Sequence, residues 1–128
     1  MSTAPAQSKR TDQIQDILRG LRTSSTEVLG VALVSTEGFT AASLLPNGVD
    51  EEVVAGMAAA LLGVAERIAE ELLHSDMLQT YVRTSKGYII LNRVSPDAML
   101  VVLTTESAKL GLVFMDIKRR LPALLELL

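Results

Sequence analysis

Cysteine is absent from the 128 residues, and histidine occurs once. The first absence excludes disulfides and thiolate metal sites, and the second excludes a histidine cluster around a metal. Tryptophan is also missing and aromatics make up 3% of the chain, so a core must come from Leu, Val, Ile, Ala and Met. Strong charge of either sign is lacking too. Twelve Lys plus Arg stand against fifteen Asp plus Glu, a formal net charge of −3, which gives no electrostatic reason to expect nucleic acid. No Gly-rich phosphate loop of the Walker or GxGxxG type occurs, and no nucleophile elbow accompanies His74. The acidic pairs Glu51-Glu52 and Glu70-Glu71 sit where helix ends are expected, as solvated caps rather than catalytic carboxylates. The longest apolar run, Val53 to Ala65, is shorter than the ~20 residues a membrane-spanning helix needs. With no apolar signal segment at the N-terminus, a cytoplasmic protein without a membrane span, cofactor or catalytic centre is expected.

What is present is apolar residue in quantity, 48%, and one stretch uses more of it than a single packing job requires. Asp50 to His74 reads as one long helix with Asp50 as N-cap. Val53, Met57, Leu61, Val64, Ile68 and Leu72 follow a core-facing rhythm. A second row, Val54, Ala58, Leu62, Ala65, Ala69 and Leu73, runs beside it. Gly56, Ala59, Ala60 and Gly63 make the remaining side flat before charge appears at Glu66, Arg67 and Glu70. Such a helix is expected to cover a sheet of its own chain and also to meet a partner.

Residues 1–10 read as a mobile tail, and residues 11–128 as one domain. A first helix from Thr11 or Asp12 to Arg22 carries Ile14, Ile17, Leu18 and Leu21 on one stripe. Glu27–Ser35 and Met99–Thr104 are apolar at both parities, which marks central strands covered on both faces. Phe39–Leu45, Met77–Thr84 and Tyr88–Val94 complete five strands joined largely by hairpins. Met77–Thr84 is the most polar, as an edge or interface strand would be. Thr105 or Ser107 should open the last helix, and Pro122 should stop or kink it near Leu121, leaving an apolar extension over residues 123–128.

Taken together, the hairpin Val28 to Ser43, the Ala-rich helix, the strands Leu78 to Val94, the strand MLVVLT and the closing helix Ala108 to Leu121 resemble the roadblock family. That family includes the roadblock dynein light chains and the bacterial gliding-motility regulators. The resemblance implies a three-layer α/β/α, profilin-like α+β fold. It has a five-stranded antiparallel sheet, the long helix on one face and the N- and C-terminal helices on the other. It also implies a homodimer formed through the long helix and the adjoining strand, here Val53, Met57, Ala60, Leu61, Val64, Ile68, Leu78, Thr80 and Val82. Family members of the bacterial branch act on small Ras-like GTPases, some as GTPase-activating proteins, and others serve as scaffolds, so the resemblance implies a non-catalytic regulator or scaffold that binds such a GTPase and could stimulate its GTP hydrolysis. The implied docking surface on this chain is Gly56, Ala59, Gly63, Glu66, Arg67 and Glu70. Arg67 is the only arginine of the helix, yet it stands four residues before Glu71 and is expected to pair with it rather than act as an arginine finger. A structural adaptor for a motor or filament, and a small-ligand sensor, are the alternatives.

Overall fold

The computed structural model describes the chain from Ala4 onward, with side chains from Ser8. Its elements are α1 (Ala4–Thr23), β1 (Val28–Ser35), β2 (Thr40–Leu44), α2 (Glu51–Leu73), β3 (Gln79–Thr84), β4 (Gly87–Ser95), β5 (Ala98–Thr105) and α3 (Leu110–Glu126). The strands form one sheet in the order β2-β1-β5-β4-β3, and every neighbouring pair is antiparallel. The three-layer arrangement and the five-stranded antiparallel sheet expected from the sequence are both present, with β1 beside β5 as anticipated.

Two apolar clusters divide the molecule across the sheet. On one side Ile14, Leu18 and Leu21 of α1 and Val113, Ile117 and Leu124 of α3 pack on Val31, Leu33, Ile90, Leu100 and Val102. On the other, Ala55, Ala58 and Leu62 of α2 pack on Ala32, Val34, Leu91, Met99 and Val101. Alternate residues of β1 and β5 therefore serve opposite cores, which is why both strands read as apolar at both parities. Leu18, Leu33, Met99 and Ile117 have no exposed surface.

Local chemistry fixes the ends of these elements. Thr23 Oγ1 donates to the Arg19 carbonyl at 2.9 Å and Ser24 Oγ to that of Leu21 at 2.7 Å, which closes α1. Asp50 Oδ1 accepts the Glu52 amide at 2.8 Å and so caps α2 as the sequence requires. At its other end His74 takes a left-handed conformation (φ 48°, ψ 48°), and its amide bonds the Glu70 carbonyl at 3.0 Å. The β3–β4 turn closes on Gly87, whose φ is 154°. A Cβ there would lie 1.9 Å from the Thr104 carbonyl oxygen, so only glycine lets β4 approach β5 at this point.

Two boundaries differ from expectation. Helix α1 begins at Ala4 rather than at Thr11, so Ala4 to Arg10 are helical; residues 1–3 of the expected tail lie outside the described residues. Helix α3 is capped at Lys109 and runs through Pro122 to Glu126. Proline removes one helical hydrogen bond, but Leu124 beyond it is fully buried, about two turns past Ile117 on the same face. Burial of that leucine outweighs the lost bond, and the final turn belongs to the core.

Candidate functional surface

Helix α2 meets the sheet through its small residues. Ala55, Ala58 and Leu62 are the buried positions, and Val54, Ala59, Leu61, Ala65 and Ala69 are packed partly against the same cluster. The row taken from the sequence as core-facing is not: Val53, Met57, Val64, Ile68 and Leu72 are exposed by 52–73%. The reason is geometric. A helix offers the sheet one stripe, and alanines on that stripe allow close approach, which turns the bulkier row about a quarter of the circumference away.

Met57 of that row and Val82 of β3 border one apolar groove. Thr80 and Val82 pair with Leu91 and Ile89 of β4, whose side chains belong to the α2-side cluster, so Thr80 and Val82 face the same layer. Leu78 continues the row and is 71% exposed. Between helix and strands lies an apolar groove of about 370 Å³, walled by Met57, Leu61, Val82, Ile89 and Leu103 among others. The groove exists because α2 lies closest to β1 and β2 and leaves the β3 side of the sheet uncovered. On the opposite face of β3, Tyr81 contacts Tyr88 edge-on and Phe114 of α3, with ring centroids 6.0 Å apart in both pairs.

The residues expected at a dimer contact are thus brought to one surface. Val53, Met57, Ala60, Val64, Ile68, Leu78 and Val82 are exposed, and Leu61 and Thr80 are half-buried at its inner border. The residues expected to dock a GTPase divide. Gly56, Gly63, Arg67 and Glu70 are exposed, and a Cβ added at Gly56 or Gly63 would meet nothing within 4 Å. Ala59 is instead packed on the core, beside the β1–β2 turn at Gly38. Glu66 is half-buried and bonded to Arg93 of β4. Arg67 bonds Glu71 at 3.3 Å, with both side chains largely in solvent.

Sequence reasoning passed over Phe39, which follows the β1–β2 turn at the flank of α2 and is 69% exposed. An aromatic placed directly after a turn glycine, in a chain with so few aromatics, was the available signal. It also passed over Arg93, whose guanidinium donates to the carbonyls of Met77, Ser95 and Pro96 as well as pairing with Glu66. Among the described residues no group of acidic or histidine side chains could hold a metal, and no helix is long and apolar enough to cross a membrane.

Comparison with known proteins agrees with this geometry. The Roadblock/LC7 domain profile matches residues 14–104. An uncharacterised protein of the archaeon Methanocaldococcus jannaschii is 37% identical over 92 residues, spanning 72% of this chain and 77% of that protein. Among solved structures, Myxococcus xanthus MglB superposes with a TM-score of 0.82 at 20% identity, over 91% of this chain and 87% of that one. An MglB described in a tetrameric arrangement gives a TM-score of 0.85 at 18% identity, over 92% and 89%. At those identities the structural likeness speaks for the fold.

Proposed function

The chain belongs to the Roadblock/LC7 domain family, and from that premise we propose that it is a non-catalytic, homodimeric regulator or scaffold for a small Ras-like GTPase, acting in the cytoplasm. The observation that carries this reading is the exposed apolar row from Val53 to Ile68 on α2, which with Val82 of β3 borders one apolar groove, and the exposed Leu78 at the start of that strand. Exposed residues of this size, aligned along one helix and one sheet edge, mark an interaction surface rather than scattered surface apolarity. A second copy would cover the strip and close the groove beneath it. Paired α2 helices would then present Gly56, Gly63, Arg67 and Glu70 of each protomer to the GTPase. Small residues permit close backbone approach and the charges at their border set orientation. Arg67, already engaged by Glu71, fits a binding contact better than an arginine finger, so hydrolysis would rest on the GTPase's own residues.

The test is complex formation. Light scattering should give a dimer mass for the protein alone. Mixing with a purified Ras-like GTPase loaded with GDP or with a non-hydrolysable GTP analogue should give a co-eluting complex that favours one nucleotide state. Equal binding to both states would favour a structural adaptor, and absence of any complex would remove the GTPase reading. The apolar groove is the one feature that favours a small-ligand sensor. Persistence of an open groove in the dimer, measured by binding of an apolar fluorescent dye, would support that alternative.

A further inference from the structure

Two Tyr and two Phe are the aromatic residues of the chain, and they are unequally placed. Tyr81, Tyr88 and Phe114 gather beside α3, with the Tyr81 ring in contact with both others. Phe39 stands apart, 69% exposed, just after the β1–β2 turn. A ring left in water contributes little of the apolar burial it could supply to the fold. Exposure alone assigns no role, because single apolar residues are common on protein surfaces.

The backbone beneath the ring is what sets Phe39 apart. The Ser35 amide donates to the Phe39 carbonyl at 2.7 Å, and the Phe39 amide donates to Ser35 Oγ at 3.0 Å. Gly38, at φ 95°, reverses the chain and donates its amide to the Ser35 carbonyl at 3.0 Å. The Thr36 amide donates to the Asp97 carbonyl at 3.0 Å and so fastens the turn to the one between β4 and β5. The turn also rests on α2: a Cβ at Gly38 would lie 3.7 Å from that of Ala59 and 3.8 Å from the Gly56 Cα. An aromatic held this firmly before binding loses little freedom on binding, as an interface anchor requires.

The surroundings state what kind of surface the ring can meet. Glu37 in the turn, Glu52 one helical turn before Gly56, and Glu70 beyond Gly63 are all exposed. Arg67, the one cation of α2, is already paired with Glu71. The strand order puts the β1–β2 hairpin at the edge of the sheet away from β3. A second copy seated on Val53, Met57 and Val82 therefore leaves Phe39 uncovered.

We propose that Phe39 anchors the partner of this face by entering an apolar pocket rimmed with Lys and Arg on the GTPase surface. This rests on the GTPase reading above and adds which side chain grips and what chemistry the partner must offer. An anionic surface, such as a phospholipid membrane, is repelled by the same three glutamates.

Isothermal titration of the full chain with a purified Ras-like GTPase, loaded with a non-hydrolysable GTP analogue, tests the anchor. Phe39→Ala should weaken binding about thirtyfold while dimer mass and melting temperature hold. Phe39→Leu, which keeps apolar bulk, should lose less. Glu37→Lys combined with Glu52→Lys leaves the ring in place and should weaken binding about tenfold at low salt, and less at high salt. Wild-type affinity in Phe39→Ala would overturn the anchor and leave the GTPase reading standing. Loss of the dimer in that variant would assign the ring to the contact between copies and overturn the anchor as well. Tighter binding by the double lysine variant would overturn the basic rim. Absence of binding by the wild type would overturn the GTPase reading and the anchor with it.

Discussion

Arg93 of β4 and Glu66 of α2 form an ion pair that fastens the long helix to the far end of the sheet. The arginine side chain is only 17% exposed and the glutamate 45%. The guanidinium also takes the Met77 carbonyl at 3.2 Å and the Pro96 carbonyl at 3.1 Å. One side chain thus joins α2, the segment entering β3 and the β4–β5 turn, the three pieces that set the angle between helix and edge strand. Arg93→Ala should lower unfolding free energy by about 2–3 kcal/mol in urea titration, since it strands several carbonyls and a half-buried carboxylate. Glu66→Gln, which keeps a neutral acceptor, should cost under about 1 kcal/mol. Equal losses for the two would show that the carbonyl contacts contribute little.

The division of α2 between sheet and surface predicts opposite outcomes at neighbouring positions. Leu62 is 3% exposed and Val64 is 59% exposed in the single chain. Leu62→Ala should cost about 2–4 kcal/mol with no direct effect on association. Val64→Asp creates no buried charge within the protomer, so the isolated fold should lose less than about 0.5 kcal/mol. In a dimer the same aspartate would enter an apolar contact and should shift the mass in light scattering toward monomer. If Val64→Asp left a dimer intact, the apolar row would not be the contact.

Glu27, at the start of β1, links the two ends of the α1/α3 layer. Its carboxylate accepts the Thr105 hydroxyl and, at 2.7 Å, that of Ser107. These bonds, Thr105's first, hold its pKa below the usual 4.5. A folded-state value below the unfolded one means the contribution is fully present above pH 4.5 and is lost as pH falls through the lower folded value. Melting temperature should therefore decline on acidification below that point, and Glu27→Gln should shallow the decline without changing its sign. An identical acid profile for wild type and variant would remove Glu27 from the acid response.

The covered and uncovered strands were legible because periodicity reports burial directly: β1 and β5 alternate between two cores, and β3 does not; the full strand order was not, since hairpin patterns permit more than one. Which row of α2 faced inward was not legible, since both rows are apolar and the choice depends on how closely the helix approaches. Alanines won because close approach gains more contact across the whole stripe than a few large side chains held farther out. Leu124 was obscured by Pro122, a local signal overridden by burial. Glu66 was placed on the outer side because nothing in its own neighbourhood announces Arg93, a residue distant in sequence whose position only the folded sheet defines.

Gly63 separates a structural explanation of the flat helix side from a functional one. Glycine inside a helix costs roughly 0.5–1 kcal/mol relative to alanine. A glycine required by packing repays this through a close contact, yet a Cβ at Gly63 would meet nothing within 4 Å, and the same holds at Gly56. Within the protomer both positions are therefore net destabilising. Gly63→Ala should raise unfolding free energy by about 0.5–1 kcal/mol, and Gly63→Arg should leave the fold intact because its side chain enters open space. If the face receives a GTPase, Gly63→Arg should abolish co-elution while the dimer mass and melting temperature hold. Loss of the dimer instead would assign Gly63 to the contact between copies, and unchanged binding and mass together would leave the glycine serving neither surface.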